Sequence, residues 1–337
     1  MDKLGDLVLS LSVDEHPALR GRRVHWLVTK GLGFIPAQAA PKRLATEFKR
    51  GFSPFEFFRL VKWLQRQRPQ TVILLHNPWW VSCAMWWARV PERIGRQSQW
   101  HSFLFLNVPI RQKRSLADRH ESDFNFDLVE LGMHQLGLRR TFNLSQVKRS
   151  YLRLVAPNPF GTVESRGLKA NAYRIVHPGM AGSALNWPQS LYRELIETLA
   201  REAPVVITGT KADQKYLSAL TPLKGTPGVH WLVGELTSPE LLDLLSQARA
   251  VIAPSTGVLH LAASLGAPSL GLYSPRRVEH PRRWGPKGIN AGYLVPGASD
   301  SDMIAPTVME QITVAQVLNT LREMEKAPHD SEAQPRI

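Results

Sequence analysis

One segment of the 337-residue chain combines small polar residues, glycine and histidine in a spacing that suits anion binding. Ser255, Thr256 and Gly257 follow an apolar run and open a helix-forming stretch that contains His260. A helix that begins there presents free backbone N–H groups and the positive end of its dipole, which bind a diphosphate. His260 lies one helical turn beyond Thr256, on the same face. The alternative is a plain N-cap at Ser255 or Thr256 with a structural histidine.

Two other loops that follow apolar runs have residues suited to a nucleotide. The loop from His177 to Pro188 contains Gly179 and Gly182, which allow backbone to approach a ligand closely. In the segment 209–213, Asp213 is either an acceptor for ribose hydroxyls or an N-cap of the following helix. Near the start of the chain, Asp6 opens an apolar helix, where it is either a general base or a favourable first-turn charge.

Short apolar runs alternate with segments of helical period, which is typical of βαβ units and parallel sheets. In the first half we expect strands at 24–28 and 72–75 and a helix at 55–66. In the second half we expect strands at 173–177, 204–208, 228–233, 250–253 and 269–273, with helices at 188–201, 238–248 and 258–265. The sequence therefore predicts a doubly wound α/β fold, whose ligand-binding loops follow the strands.

The length predicts two domains. We place the first at 1–156, a linker at 157–171, the second at 172–325 and a disordered polar tail at 326–337. The single cysteine, Cys83, cannot form an internal disulfide, and no signal peptide is recognised, so we expect a cytoplasmic protein. Proline and glycine interrupt both uncharged stretches, so no membrane-spanning segment is predicted.

Positive charge is concentrated in the first half of the chain. The net charge is +14, and residues 1–150 carry 24 Lys/Arg against 12 Asp/Glu, whereas residues 151–337 carry 18 against 16. A basic N-terminal half of this kind is suited to binding nucleic acid, an anionic membrane or an acidic substrate. Nucleic acid is disfavoured because no nucleic-acid-binding module is found. Four tryptophans lie within nine residues, and we expect at least one exposed pair among them: Trp79, Trp80, Trp86 and Trp87.

Taken together, these segments resemble glycosyltransferase family 9, the heptosyltransferases of the lipopolysaccharide inner core. The resemblance rests on Asp2–Leu11, Pro91–Gly95, the region of His120, and the donor segments His177–Pro188 and Ser255–Pro268, which Arg283-Trp-Gly-Pro286 follows. It implies a GT-B enzyme, with two Rossmann-like domains and the active site in the cleft between them. The N-terminal domain would bind the acidic acceptor and the C-terminal domain a nucleotide-sugar, ADP-heptose in the best-known members.

The resemblance also implies roles for individual residues. Asp6 matches the catalytic base that activates an acceptor hydroxyl for inverting transfer, and Leu236 an apolar residue beside that base. The implied donor-binding residues are Gly179, Met180, Asn186, Asp213, Leu236, Ser255, Thr256, Gly257 and His260. The expected acceptor contacts are Lys3, Arg111, Lys113, Arg114 and His120, with Arg119 nearby; a solvated basic loop is the alternative. We expect a monomer on the cytoplasmic face of the inner membrane, without cofactor or metal, although Asp300 and Asp302 superficially resemble a metal-binding pair.

Three features depart from the family pattern. Leu185 stands where a lysine commonly neutralises donor phosphate, and Ser255 stands where the best-known members have aspartate. Arginines that would replace the lysine charge are Arg276, Arg277, Arg282 and Arg283. Family members also begin with a hydrophobic strand, whereas Met1 directly precedes the first motif. By this resemblance the first strand of the N-terminal sheet would be missing, and we expect an upstream start codon. Two alternatives stay open: another nucleotide-sugar donor, or a non-catalytic nucleotide- or lipopolysaccharide-binding relic.

Overall fold

The computed structural model describes residues 3–137, 150–157, 161–180, 184–297 and 305–326. The chain divides into two units, Met1–Tyr151 and Leu152–Ile337. The division falls earlier than the boundary expected after residue 156. Leu152 and Leu154 are buried, and the N–H of Leu154 donates to the carbonyl of Ser264, so this segment packs with the second unit.

The first unit contains parallel strands in two separate sheets, one with the order β1-β2 and one with the order β3-β4-β5. The strands are β1 (His25–Thr29), β2 (Leu44–Phe48), β3 (Thr71–Leu74), β4 (Glu92–Arg96) and β5 (Val108–Ile110). The helices are α1 (Leu4–Leu11), α2 (Phe34–Gln38), α3 (Pro54–Gln67), α4 (Trp79–Trp87), α5 (Trp100–Phe105) and α6 (Glu121–Gln135). In the described residues no strand precedes α1.

Helix α3 illustrates how the sequence determines where a helix begins and which of its faces is buried. The hydroxyl of Ser53 accepts the N–H of Glu56, and Pro54 takes the first helical position, where its missing N–H costs nothing. Phe57, Leu60 and Leu64 lie at helical spacing and are buried, so one face of the helix packs into the core.

The second unit is built on one six-stranded parallel sheet with the order β8-β7-β6-β9-β10-β11. Its strands are β6 (Arg174–Val176), β7 (Val205–Gly209), β8 (Val229–Val233), β9 (Ala250–Pro254), β10 (Ser269–Leu272) and β11 (Ala291–Leu294). Its helices are α7 (Thr162–Ser165), α8 (Gln189–Ala200), α9 (Ser238–Ser246), α10 (Gly257–Ser264), α11 (Pro281–Trp284) and α12 (Val314–Lys326). Every residue of β6, β9 and β10 is buried, as expected for strands covered on both faces.

The predicted linker at 157–171 is partly structured. Helix α7 lies within it, Thr162 and Val163 are buried, and the N–H of Thr162 donates to the carboxylate of Asp243 at 3.0 Å. The segment therefore packs against α9 instead of running freely between domains. Of the predicted tail, Lys326 ends α12, and residues 327–337 lie outside the described part. Within the described ranges, no helix has the length and hydropathy needed to cross a bilayer.

Candidate functional site: the switch point of the six-stranded sheet

Loops with the predicted donor-binding residues emerge at the carboxyl edge of the six-stranded sheet. The strands are parallel, so the loops that follow β6, β7, β8 and β9 all lie at this edge. Strand β6 lies between β7 and β9, so the order of the sheet changes direction beside β6. Open α/β sheets bind ligands at such a switch point. The loops that flank it are 177–180, after β6, and 255–256, after β9.

Thr256 and His260 carry buried polar atoms for which the described part of the chain supplies no hydrogen-bond partner. Thr256 is the N-cap of α10, but its side chain makes no capping hydrogen bond. Thr256 Oγ1 and His260 Nδ1 are both buried and have no hydrogen-bond partner among the residues that the structure describes. Buried polar groups are nearly always satisfied, so these two atoms indicate a ligand or ordered water at the start of α10. The plain N-cap alternative does not account for Thr256.

Burial determines the charge state of His260. The residue is 4% exposed, and desolvation lowers its pKa to about 4. His260 is therefore neutral at pH 7, and its ring can donate one hydrogen bond to a phosphate oxygen without a net charge. The backbone N–H groups at the start of α10 are the other donors at this position.

Ser255 has an internal partner. A hydrogen bond joins its side chain to the hydroxyl of buried Tyr273, whose pKa burial raises. The Tyr273 hydroxyl also donates to the carbonyl of Trp284 at 2.6 Å. The turn before α10 is thus anchored to the segment that contains Arg283-Trp-Gly-Pro286.

His177, which the sequence analysis did not select, lies on the other side of the switch point. It is 6% exposed, and its Nδ1 is 2.9 Å from the hydroxyl of Thr208, the residue before Gly209 at the end of β7. Desolvation lowers the pKa of His177 to about 4, against a smaller opposing effect of Asp213. A histidine directly after a buried strand and before a glycine loop was the signal that could have identified it.

Asn186 braces the loop after β6. Its Nδ2 donates to the carbonyl of Pro178 at 2.8 Å, and its Oδ1 accepts from the N–H of Trp187 and from the hydroxyl of Tyr192. These bonds hold the turn that contains Gly179 and Met180. The amide of Asn186 therefore shapes the predicted donor loop from within, and its direct contact with donor stays a prediction.

Asp213 lies beside the same loop and is 4% exposed. Its Oδ2 accepts from the N–H of Thr210 at 2.8 Å and from the Thr210 hydroxyl at 2.6 Å. Thr210 is therefore the N-cap of the short helix Lys211–Tyr216, and Asp213 supports the cap from the third helical position. Leu236 is half-buried after β8, at the same edge of the sheet. The structure thus brings both residues to the predicted donor edge, and the ribose-binding role of Asp213 stays a prediction.

Leu185, where the family commonly has lysine, is linked to an arginine through Glu279. The N–H of Leu185 donates to Glu279 Oε2 at 3.1 Å, and Glu279 Oε1 is 3.7 Å from Arg276 Nη1. Arg276 follows β10 and is partly exposed. The side chain of Glu279 therefore lies between the backbone of Leu185 and the positively charged side chain of Arg276.

In the first unit, Asp6 is the third residue of α1. Its Oδ2 accepts from the backbone N–H of Lys3 at 3.3 Å, and the residue is half-buried. Asp6 therefore serves the helix start, as the alternative expected, and it also remains accessible. Lys3 is exposed at the N-cap position.

The predicted acceptor contacts differ in their surroundings. Arg111 and Lys113 are exposed. Arg114 is 5% exposed, forms a salt bridge with Glu121 and donates to Gln112 Oε1 at 2.8 and 3.0 Å, so it is a structural residue of this loop. Arg114 is thus less accessible than Arg111 and Lys113, and its contact with the acceptor stays a prediction.

His120 and Arg119 also have partners within the unit. His120 caps α6 through Nδ1, which accepts from the N–H of Ser122 at 3.2 Å. Arg119 pairs with Asp127 and lies over the ring of Phe124. Of the predicted basic loop, Arg111 and Lys113 are thus the residues most available to a partner.

Some predicted positions lie outside the described residues, namely Asp2, Gly182, Asp300 and Asp302. In the parts of the chain that the structure covers, no group of three or more His, Cys, Asp or Glu residues could hold a metal ion.

The chain is similar in sequence to known glycosyltransferases. The model of glycosyltransferase family 9 (heptosyltransferase) matches residues 57–299. A Haemophilus influenzae protein that carries a provisional glycosyltransferase name is 26% identical over 281 residues, which cover 80% of this chain and 79% of that protein. Lipopolysaccharide heptosyltransferase 2 of Escherichia coli is 30% identical over 98 residues, 28% of each chain.

Solved structures share the fold. The ADP-heptose lipopolysaccharide heptosyltransferase II of E. coli has a TM-score of 0.77 at 18% identity, with 96% of both chains covered. The E. coli heptosyltransferase WaaC with ADP has a TM-score of 0.65 at 18% identity, covering 96% of this chain and 98% of that chain. The predicted GT-B fold and glycosyltransferase activity are therefore confirmed. Since the family match spans well over half of the sequence, the chain belongs to glycosyltransferase family 9, the heptosyltransferase family.

Proposed function

We propose that this glycosyltransferase transfers a heptose from ADP-heptose to the inner core of lipopolysaccharide, with inversion and without a metal or other cofactor. The observation that carries the donor assignment is a pair of buried atoms at the start of α10, Thr256 Oγ1 and His260 Nδ1, neither of which has a hydrogen-bond partner within the described residues. A diphosphate fits this position because it accepts hydrogen bonds from a hydroxyl, a neutral imidazole and backbone N–H groups together. Solved relatives with bound ADP or an ADP-heptose analogue support this choice of donor.

The proposed reaction assigns one role to each unit. Asp6 accepts the proton of an acceptor hydroxyl, and the acceptor oxygen forms a bond to the anomeric carbon of the heptose. The bond between that carbon and the diphosphate oxygen breaks, and ADP leaves with the electron pair. Thr256, His260 and the N-terminus of α10 stabilise the charge that develops on the diphosphate.

Leu185 stands where family members commonly have a lysine that neutralises donor phosphate. Arg276 is our candidate for the residue that supplies this positive charge instead. The link through Glu279 connects it to the loop after β6, and a guanidinium suits a phosphate oxygen. Its loss should reduce turnover more than nucleotide affinity, because charge on the leaving group grows in the transition state. Comparing R276A with the exposed-arginine control R201A separates this role from a general change in surface charge.

The first unit has an exposed aromatic surface that suits contact with the membrane that carries the acceptor. An aromatic patch on α3, α4 and the preceding loop exposes six large side chains, Phe52, Phe55, Phe58, Trp79, Trp86 and Trp87. The rings of Phe52 and Trp79 lie 5.0 Å apart, so the two elements contribute to one surface. Exposed Arg50 and Arg89 adjoin this patch in sequence. We propose that the protein works as a monomer at the cytoplasmic face of the inner membrane, with this patch in the interfacial layer.

Titration with ADP, UDP and GDP tests the donor assignment. We expect ADP to bind with the highest affinity and T256V to weaken that binding. A preference for UDP or GDP would favour the second candidate, a family 9 transferase with another nucleotide-sugar, which Leu185 supports. Absence of binding by all three nucleotides would favour a non-catalytic relic.

A further inference from the structure

A cavity of about 490 Å³ lies in the first unit where β3 and β4 end. Its lining comes from the loop after β3 and the start of α4, and from the end of β4, the loop that follows it and the start of α5. The two strands are parallel neighbours, so both loops leave the same edge of the sheet. Open α/β sheets bind ligands at this edge, and the volume lies in the range of small-molecule sites, about 300–1,000 Å³. We term this cavity the tryptophan pocket.

Two exposed indole side chains line the tryptophan pocket. Trp79 opens α4 and is 43% exposed, and Trp100 opens α5 and is 65% exposed. An indole is a broad, rigid apolar surface. The face of a sugar ring that presents its C–H bonds packs against such a surface, while the hydroxyl groups at the rim of the ring stay in water. The two indoles therefore suit a sugar.

Arg96 supplies a positive charge to the pocket. It ends β4, is half-buried, and its Nε donates to Ser98 Oγ at 3.1 Å. Among the residues that the structure describes, no carboxylate pairs with Arg96, and none of the residues that line the pocket is Asp or Glu. A guanidinium binds a carboxylate or a phosphate through two parallel hydrogen bonds. The charge of the pocket therefore favours a sugar with an anionic group.

A second exposed arginine follows the neighbouring strand at the same edge. Arg96 is the register partner of Ile110, which ends β5, and the N–H of Gln97 donates to the carbonyl of Ile110 at 2.8 Å. Arg111 comes directly after Ile110 and is exposed. The tryptophan pocket thus lies beside the start of the basic loop that the sequence suggested for the acceptor.

Buried polar groups hold the two loops of the pocket together. Asn77 is 8% exposed, and its Nδ2 donates to the carbonyl of Arg96 at 3.4 Å. The Asn77 carbonyl accepts from Nε2 of buried His101 at 3.0 Å, and its Oδ1 accepts from the hydroxyl of Ser82. These bonds cross from the loop after β3 to the end of β4 and to α5. The pocket is therefore built before a ligand arrives, which lowers the cost of binding.

We propose that the tryptophan pocket binds one acidic sugar unit of the acceptor, with the ring against Trp79 and Trp100 and its carboxylate or phosphate on Arg96. This assignment rests on the proposed function, because that function takes an acidic saccharide as the acceptor. It adds a second kind of recognition to that of the basic loop: the indoles select the ring and the guanidinium selects the charge. A neutral sugar and a free phosphate each satisfy only one of the two.

Binding of simple probes tests the pocket without any transfer reaction. The indole N–H resonances of Trp79 and Trp100, assigned with W79F and W100F, are followed by nuclear magnetic resonance during titration with glucuronic acid, glucose 6-phosphate, glucose or inorganic phosphate. We expect both acidic sugars to shift the two resonances with at least fivefold higher affinity than glucose or phosphate. No shift with either acidic sugar up to about 50 mM would overturn the proposal, since single sugars bind weakly but are measurable there.

Variants of Arg96 test the charge. R96Q should weaken glucuronic acid binding at least fivefold, and R96K, which keeps a point charge but not the planar fork, should recover part of the affinity. R66Q, at an exposed position of α3 outside the pocket lining, is the matched control. Equal glucuronic acid affinity in R96Q, R66Q and the wild type would overturn the role of Arg96.

The head group of an anionic phospholipid is the competing occupant, because Trp79 also belongs to the aromatic patch. If a phospholipid occupied the pocket, R96Q would lose sedimentation with phosphatidylglycerol vesicles several-fold and keep its glucuronic acid affinity. That pair of results would overturn the proposal, whereas we expect R96Q to sediment as the wild type does.

Transfer kinetics distinguish a failure of this proposal from a failure of the proposed function. With ADP-heptose and a truncated lipopolysaccharide, R96Q should raise the acceptor KM at least tenfold and leave ADP affinity unchanged. Wild-type transfer with an unchanged acceptor KM in R96Q would overturn the pocket and leave the proposed function in place. Indole shifts with acidic sugars in a wild type that transfers no heptose would support the pocket and contradict the proposed reaction.

Discussion

Gly179 and Asp213 are packed so closely that the glycine position has no room for a side chain. A Cβ atom built on Gly179 would lie 2.5 Å from Asp213 Cγ and 2.8 Å from its Oδ1. The carboxylate cannot easily move, since it is buried and its Oδ2 accepts two hydrogen bonds from Thr210. The loops after β6 and β7 are therefore fitted to each other beside the switch point of the sheet.

Substitution G179A should disturb this fit. We expect a loss of about 1–3 kcal/mol in the free energy of unfolding from overpacking, and a several-fold weaker affinity for ADP because the loop shifts. Urea unfolding and calorimetric titration measure the two effects. The control is G297A, an exposed glycine whose Cβ would meet nothing within 4 Å. Wild-type ADP affinity in G179A would show that the loop after β6 does not hold the nucleotide.

The unpartnered hydroxyl of Thr256 leads to opposite effects on stability and binding. In T256V a buried, unsatisfied oxygen is replaced by a methyl group of similar size, and no capping hydrogen bond is lost. The free energy of unfolding without ligand should rise by about 1 kcal/mol, whereas ADP affinity should fall roughly tenfold. T198V, at a half-buried position of α8 where the hydroxyl donates to the carbonyl of Glu194, serves as the control for losing a hydroxyl that has a partner. A decrease in stability together with unchanged ADP affinity would contradict the diphosphate site.

His177 and His260 should make the fold sensitive to mild acid. Burial lowers the pKa of each to about 4, whereas the unfolded chain protonates histidine near 6.5. The unfolded state thus binds more protons between pH 6.5 and 4, so the free energy of unfolding falls as the pH falls through this window. Each histidine should contribute on the order of 3 kcal/mol to this loss.

Urea unfolding at several pH values between 7 and 4 measures this dependence. The double variant H177Q/H260Q should make the curve between pH 6.5 and 4 shallower, with the remaining dependence due in part to His16, whose pKa burial also lowers to about 4. H134Q, at an exposed position of α6, should leave the curve unchanged. The same slope in the double variant and the wild type would show that these two histidines do not control acid stability.

The aromatic patch should bind anionic vesicles. Trp86 and Trp87 are about half exposed, at 50% and 54%, next to exposed Arg89. We expect the wild-type protein to sediment with phosphatidylglycerol vesicles and much less with phosphatidylcholine, with binding that weakens as salt is added. W86S/W87S should reduce sedimentation several-fold. The control is Y216S, at an exposed tyrosine in the second unit. Equal sedimentation of both variants would exclude the patch from membrane binding.

Strands buried on both faces could be predicted from sequence because they form unbroken apolar runs. The expected strand at 250–253 corresponds to β9, and the expected helix at 258–265 corresponds to α10, each within one residue at either end. The exposed pair of tryptophans on α4 is also confirmed, since Trp86 and Trp87 are exposed and Trp80 is buried.

Other elements depend on tertiary contacts that the local sequence does not reveal. Strand β4, Glu92–Arg96, contains charged residues, and Arg93 is fixed by bonds to the carbonyls of Phe105 and Val90. Strand β2 holds Glu47, whose Oε1 accepts from the N–H of Gly33 at 2.7 Å. In the site, the sequence identified Thr256 and His260, but only the contacts show that both keep unpartnered atoms while Arg114 is satisfied internally.

The most direct test of heptosyl transfer is the mass of a truncated lipopolysaccharide after incubation with ADP-heptose and the protein as isolated from its source cells. The account predicts a gain of one heptose residue with the wild type. D6N should give no product while ADP affinity stays near that of the wild type. E240Q, which changes the carboxylate at the equivalent third position of α9, should keep full turnover. No gain in mass with the wild type, or equal turnover with D6N, would contradict the proposed donor or the proposed base, respectively.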